Sequence, residues 1–182
     1  MTASAIHAAG DITIEHLDAG AAHAAIPDLC DVLSDCVEGG ASVGFMAPFP
    51  PSGARPFWEG VAAAVAEDAV ALIVARRACE IVGTVQVGLK MPPNQPHRAD
   101  IKKLLVHRRA RGLGLSRGLM TAAEAVARER GKTVLVLDTA TGEPAEAIYQ
   151  RLGWQRVGVI PHYALMPDGR TCDTTFFYKH LS

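Results

Sequence analysis

Residues 11–17 (DITIEHL) alternate apolar and polar side chains, a period of two that predicts a strand with one buried face. Over 21–37 the period lengthens. Ala22, Ile26, Leu29, Val32, Leu33 and Cys36 recur at helical spacings, and Gly39-Gly40 stops the predicted helix. The stretch FMAPFPPSGARP is dense in proline and glycine and reads as a loop, either an ordinary one or one facing a substrate. Phe57 to Glu67 predicts a second, alanine-rich helix. From Ala69 the pattern changes to β-rich runs, 69–76 and 81–90, on either side of Arg77-Ala78-Cys79-Glu80, which predicts a hairpin. Three prolines in MPPNQPH exclude continuous pairing there. Residues 98–106 form a fourth strand ending in a fully apolar LLV. Leu115, Leu119, Ala122 and Val126 then lie on one stripe of a helix over 113–130, ended by Gly131. A buried strand (133–138), a short helix (143–152) with Pro144 in its first turn, and strands 154–160 and 173–179 around Pro167-Asp168-Gly169 complete the chain.

The predicted order is β-α-α-β-β-β-α-β-α-β-β, a mixed α/β single domain over 11–182 with a loose extension at 1–10. A strand–helix–strand crossover sits in its middle. It is expected to be right-handed, with the helix N-terminus at the carboxyl end of its strand.

Composition narrows the class. The chain has 182 residues, within the range of one domain, and 49% of them are apolar but only 5% aromatic, so the core must be aliphatic. A formal net charge of −1 gives no reason to expect a nucleic-acid or anionic-membrane partner. No apolar run is long enough to span a membrane, and MTASAIHAAGD lacks the basic and apolar regions of a secretory signal. Cys30, Cys36, Cys79 and Cys172 show no C-x-x-C spacing and no histidine at finger-like distance. Free thiols, a cytoplasmic protein and no metal site are the expectation.

The segment most informative about chemistry is Val106-His-Arg-Arg-Ala-Arg-Gly-Leu-Gly-Leu-Ser-Arg-Gly-Leu119, between an apolar strand and a helix. Gly112, Gly114 and small Ser116 allow close backbone approach at a helix N-terminus, whose unpaired N–H groups suit a phosphate. A P-loop would need a lysine after the glycines, and none is present. A dinucleotide fingerprint needs G-x-G-x-x-G, whereas glycines 112, 114 and 118 are one residue too far apart. Asp138, ending the next strand, keeps a dinucleotide-binding oxidoreductase as one alternative, and a plain glycine-rich turn is another.

Arg111-Gly112-Leu113-Gly114-Leu115-Ser116 after a strand ending in valine resembles the acetyl-CoA-binding motif of the GNAT N-acetyltransferase superfamily, [QR]-x-x-G-x-[GA]. Ser116 stands where glycine or alanine is usual, and Arg108 where a proline often follows the valine. Tyr149-Gln-Arg-Leu-Gly153-Trp154 adds a second motif, a tyrosine four residues before a Gly-aromatic pair. Within the superfamily, the ending IPHYALMPDG…CDTTFFYK most resembles small-molecule acetyltransferases of the tabtoxin-resistance type.

The resemblance implies a single mixed, mostly antiparallel sheet with flanking helices. It also implies acetyl-CoA as co-substrate and no metal. Leu104, Leu105, Val106, Arg111, Gly112, Leu113, Gly114, Leu115, Ser116 and Arg117 would form the cofactor site, with a backbone N–H near Leu105 or Val106 meeting the thioester carbonyl. The implied reaction is direct transfer in a ternary complex to the amine of a small molecule, an antibiotic or toxin among the options. A non-catalytic acyl-CoA sensor using the same turn is the alternative, and a homodimer is compatible with either.

Such a transfer needs a neutral amine, a stabilised oxyanion and a proton for the departing thiolate. With an amine pKa near 10, only about one molecule in a thousand is nucleophilic at neutral pH. Tyr149 is the candidate acid, since an ordinary phenol has a pKa of about 10, close to that of a thiol; its other reading is a core ring under the sheet. Asp100 and Asp138 are candidate bases or ammonium ligands, or else carboxylates facing water and a turn. His162 and Tyr163 border the acceptor pocket or belong to a turn, while Phe57 and Trp58 read as helix-core anchors. Cys172 has no nearby histidine partner, which disfavours a covalent enzyme intermediate.

The charge balance also gains detail. Lys102, Lys103, Arg108, Arg109, Arg111 and Arg117 are six of the 18 basic residues and have no acid among them. The near-zero total is thus a basic cluster at the turn on an acidic body, suited to a compact polyanion such as the CoA phosphates.

Overall fold

Asp18 both ends the first long strand and opens the first helix, its carboxylate accepting the Ala21 N–H at 2.9 Å. The computed structural model describes residues 6–7, 12–50 and 52–181. Their order is β1 (Ile6–His7), β2 (Ile12–Leu17), α1 (Ala19–Ala24), α2 (Ile26–Glu38), α3 (Ala54–Ala66), β3 (Val70–Arg77), β4 (Glu80–Gly88), β5 (Arg98–Val106), α4 (Leu115–Glu129), β6 (Val134–Ala140), α5 (Pro144–Arg151), β7 (Gln155–Leu165) and β8 (Thr171–His180). This is the predicted order with two additions. Pro27 in the first turn of α2 separates α1 from it, and β1 pairs with β2 through Ile6↔Ile14 and His7↔Thr13. The rest of the expected 1–10 extension lies outside the described residues.

The eight strands form one sheet in the order β1-β2-β3-β4-β5-β6-β8-β7. Every neighbouring pair is antiparallel except β5 and β6. Helices cover both faces. One core cluster packs Leu119, Met120, Ala123 and Ala127 of α4 and Tyr149 of α5 on Val85, Ile101, Leu135 and Leu137. The other packs Leu29, Val32 and Leu33 of α2 and Trp58 of α3 on Leu72, Val74, Ile81 and Leu105. Trp58 is 1% exposed, the core anchor expected of it. Gly118, third of the turn's glycines, serves packing: a Cβ there would collide with Ile14 Cδ1 of β2.

Candidate active site

The site lies where the two parallel strands part. β5 and β6 pair only over Arg98↔Val134, Ala99↔Leu135 and Asp100↔Val136, although both strands continue beyond. A bulge in β5 marks the parting. Thr84 pairs with Leu105 and Gln86 with Lys102, so Val85 alone faces Lys103 and Leu104, and Lys103 takes the left-handed φ of 52°. Beyond the bulge the His107 N–H donates to Val82 O at 2.9 Å. Hydrogen-bonded pairs alternate along an antiparallel ladder, so Leu105 bonds inward to β4 and the peptide groups of Val106 turn toward the open seam. There the Val106 carbonyl accepts from Cys36 Sγ at 3.7 Å and Arg111 Nε at 3.3 Å. Of the two amides expected near the thioester, Val106 is the one aimed at the seam.

The glycine-rich turn follows directly. Gly112 (φ 80°) and Gly114 (φ 74°) are both left-handed, and Gly114 caps α4. The amides of Gly112, Leu113, Gly114, Leu115 and Ser116 donate to no protein acceptor among the described residues, whereas Arg117 N–H returns to Gly114 O at 3.1 Å. Consecutive free amides at a helix N-terminus form an anion cradle. Side chains contribute less: Leu115 is core, Leu113 is 49% exposed and Leu104 packs toward α4. A Cβ at Gly114 meets no protein atom within 4 Å, so within the protein Gly114→Val acts through strain of the left-handed backbone. A β-branched residue there costs about 1–2 kcal/mol. We expect the turn to relax, its amides to lose their aim, and the acetyl-CoA Kd in calorimetry to rise roughly 5–30-fold. An unchanged Kd would remove the turn from the cofactor site.

The basic cluster is only partly available to a ligand. Arg108 bonds Asp35 through its guanidinium and, at 2.8 Å, through its backbone N–H. Arg109 pairs with Glu80 at 3.2 Å and Asp31 at 3.6 Å. Asp35, 7% exposed near the end of α2, thereby ties that helix to the start of the turn. Asp35→Ala removes charge-assisted bonds of about 1.5–3 kcal/mol, discounted here because solvent reaches Arg108. A fall of roughly 3–8 °C in melting temperature, with weaker acetyl-CoA binding, is expected. An unaltered melt would show that the turn stands without this anchor.

Tyr149 and the two aspartates approach the seam from opposite faces. The Tyr149 ring is 6% exposed, in edge contact with Trp154 at 6.2 Å and tilted on Phe177 at 5.9 Å. Its hydroxyl makes no hydrogen bond among the described residues, yet it is not one of the sealed, unpartnered polar atoms there, so it keeps access to solvent. Burial, and secondarily the charge of Asp138, push the phenol well above its ordinary pKa. Ala99, Ile101, Leu135 and Leu137 face the α4 side, so by alternation Asp100 and Asp138 face the α2/α3 side. Asp100 is ion-paired with Arg98. Asp138 has no ion pair within 4.0 Å among the described residues. Desolvation raises its pKa, with Lys103 opposing and Asp100 adding to the rise.

Two features escape sequence reasoning. Lys103, counted only in the basic cluster, leaves the bulge toward the rings of Phe57 (5.5 Å) and Phe45 (5.9 Å). The proline-rich loop is fastened to the β7–β8 hairpin by Ala47 N–H to Pro167 O (2.9 Å) and Ser42 Oγ to Leu165 O (3.0 Å). Loop and hairpin are therefore held against each other, with Phe45 and Phe49 of the loop packed on the α2/α3 cluster. His162 (φ 52°) lies in a β7 irregularity with its N–H bonded to Asp173 Oδ1 at 2.9 Å, and Tyr163 is 54% exposed.

A mostly antiparallel sheet parted at one parallel seam, with a helix-capping amide cradle beside the gap, defines the class of CoA-dependent acetyltransferases. The model of the acetyltransferase (GNAT) family matches residues 29–154, and the chain belongs to that family. Solved structures share the fold. YncA of Salmonella typhimurium, solved with its cofactor acetyl-CoA, superposes with a TM-score of 0.76 at 19% identity, covering 95% of each chain. An N-acetyltransferase of Staphylococcus aureus Mu50 gives 0.78 at 15% identity, over 95% of this chain and 100% of that one. Ribosomal-protein-alanine N-acetyltransferase of Brucella melitensis gives 0.75 at 25% identity, over 92% and 99%. The free amides of the turn and the open seam beside it are chemically suited to a phosphate-bearing acyl carrier such as acetyl-CoA. Among the described residues no cluster of three or more metal-ligating side chains occurs, and no helix is long and apolar enough to cross a membrane.

Proposed function

We propose that the protein transfers the acetyl group of acetyl-CoA directly to the amine of a small molecule, within a ternary complex. The carrying observation is the placement of Tyr149 and Asp138 on opposite faces of one seam, beside an amide turned into it. Acetyl-CoA, when bound, supplies the thioester acyl group. Asp138, directly or through one water, takes the proton of the ammonium and leaves a neutral nucleophile on the α2/α3 side. The Val106 N–H faces the carbonyl oxygen as negative charge grows on it, a role independent of side-chain identity. Tyr149, from the α4 side, donates its proton to the departing sulfur and is reprotonated by the second proton, which the nitrogen gives up as the amide forms. Asp100, held by Arg98, adds negative potential that favours a cationic acceptor.

The acceptor's small size rests on the likeness of the ending IPHYALMPDG…CDTTFFYK to small-molecule acetyltransferases. The narrower likeness to tabtoxin-resistance proteins rests on the sequence of the last two strands, and a cytoplasmic location on cysteine usage. Mixing the protein with acetyl-CoA and an amine panel, with thiol release and product mass followed together, tests the reading. Binding of acetyl-CoA without thiol release across the panel would favour a sensor. Preferential binding of NADPH would overturn the cofactor assignment.

A further inference from the structure

Lys103 is unusual in three independent respects. It holds a left-handed backbone, φ 52°, in the middle of a sheet, a conformation that a non-glycine residue adopts only when its surroundings enforce it. Its side chain is partly withdrawn from water, between Phe45 of the proline-rich loop and Phe57 of α3, and against Gly44, where a Cβ would lie 3.6 Å from Nζ. Its ammonium makes no hydrogen bond and no ion pair within 4.0 Å among the described residues. Arg77, Lys90, Lys102, Arg117 and Arg151 also lack such partners but are exposed, whereas Lys103 is half-buried. Contact with two rings accounts for part of the placement of Lys103, since a cation over an aromatic face is attracted. It leaves the ammonium's N–H donors unused.

The phosphate turn does not explain this lysine. The turn opens α4, which covers one face of the sheet, while Phe45 and Phe57 pack with the α2/α3 cluster on the other. That is also the face of Asp138, with which Lys103 makes no ion pair within 4.0 Å. The α2/α3 side of the seam thus presents a carboxylate and an ammonium, neither of them ion-paired among the described residues. An acceptor bearing only an amine would satisfy Asp138 and set a second cation against Lys103. An acceptor that also bears an anion would meet both.

Resting on the acetyltransferase reading above, we propose that the acceptor is an amino acid, with Lys103 binding its carboxylate and Asp138 facing its ammonium. Lys103 is then a specificity-determining residue, and the aromatic rings beside it exclude water from the carboxylate and hold the lysine extended.

The test uses pairs matched in everything but the carboxylate, such as phenylalanine with phenethylamine and methionine with 3-(methylthio)propylamine. Each is measured by thiol release with acetyl-CoA and, without turnover, by calorimetric titration into protein saturated with CoA. The rest of the twenty amino acids are screened the same way. We expect at least one amino acid to exceed its decarboxylated partner by tenfold or more in kcat/KM and in Kd. Lys103→Met should bring the pair within about twofold while acetyl-CoA affinity and melting temperature hold, and Lys103→Arg should keep most of the preference. Equal or better use of the decarboxylated amines by the wild type overturns the proposal, as does a preference that survives Lys103→Met. Failure of every amino acid to bind the CoA-loaded protein also overturns it. Lys103-dependent binding with no thiol release from any amine would retain the carboxylate site and reject acetyl transfer; brisk transfer to amines without carboxylate preference would do the reverse.

Discussion

Tyr149→Phe is expected to lower kcat by about 100-fold while the acetyl-CoA dissociation constant stays within about twofold. The substitution removes one oxygen and leaves the ring, so the contacts with Trp154 and Phe177 persist. The hydroxyl has no protein partner among the described residues, so its loss strands no buried group, and the melting temperature should hold. Burial raises the phenol's pKa, and Tyr149 therefore stays a protonated donor throughout the usable pH range. The same burial would make outright proton transfer to an ordinary thiolate uphill. The departing sulfur, however, sits in the same poorly solvated seam, and its charged form is disfavoured too. What matters is the difference between the two groups, which a shared environment changes less than either value. Steady-state kinetics, calorimetry and a thermal melt on one preparation check the three expectations together. An undiminished kcat would make Tyr149 a packing residue, the role its contacts already allow.

The elements most legible in the sequence were those with the most regular apolar pattern. β3 to β6 and α4 lie within two residues of their predicted bounds: β3 and β4 are near-continuous apolar runs because helices bury both their faces, and α4 carries one apolar stripe. The break between α1 and α2 was hidden, since the apolar stripe from Ala22 to Cys36 runs through it and a proline in a first turn does not disturb the stripe. Ala54-Arg55-Pro56 read as loop by composition, yet it forms the first turn of α3, where a proline lacks no needed N–H. β7 runs on to Leu165 despite Pro161, because it is the last strand in the sheet order and an edge strand tolerates a missing donor.

The site divides in the same way. The phosphate turn was readable because strand end, glycines and helix start are contiguous, and local geometry follows from local residues. Lys103 was not, because its bulge exists only through pairing with β4, and its rings arrive from a distant loop and helix. The basic cluster was overcounted for the same reason: Arg108 and Arg109 are committed to Asp31, Asp35 and Glu38 of α2 and to Glu80 of β4, carboxylates that only folding brings near. Asp100 and Asp138 could be placed at strand positions, but their sharing of one face depends on the β5–β6 register.

Asp138→Asn is expected to move activity and stability in opposite directions. Turnover falls by roughly 100-fold or more if the carboxylate removes the ammonium proton, because an amide cannot accept it. Stability at pH 7 rises. The pKa of Asp138 in the folded chain lies above the ordinary carboxylate value, chiefly through desolvation, so the native state binds its proton more tightly than the unfolded chain does. The sign follows: ionised Asp138 penalises the fold fully above its raised pKa and not at all below the unfolded value near 4. Asparagine removes that penalty, and because solvent reaches Asp138 the mutant's gain in melting temperature should be small at pH 7 and shrink to nothing as the pH falls through the titration. Lys103 opposes part of the effect by attracting the charge, so in a Lys103→Met background the gain should be larger. Melts of the four proteins of this cycle from pH 3.5 to 8, with kcat at pH 7, measure both halves. A mutant that is less stable at pH 7, or that turns over normally, would make Asp138 a structural carboxylate and return the role of base to Asp100 or to water.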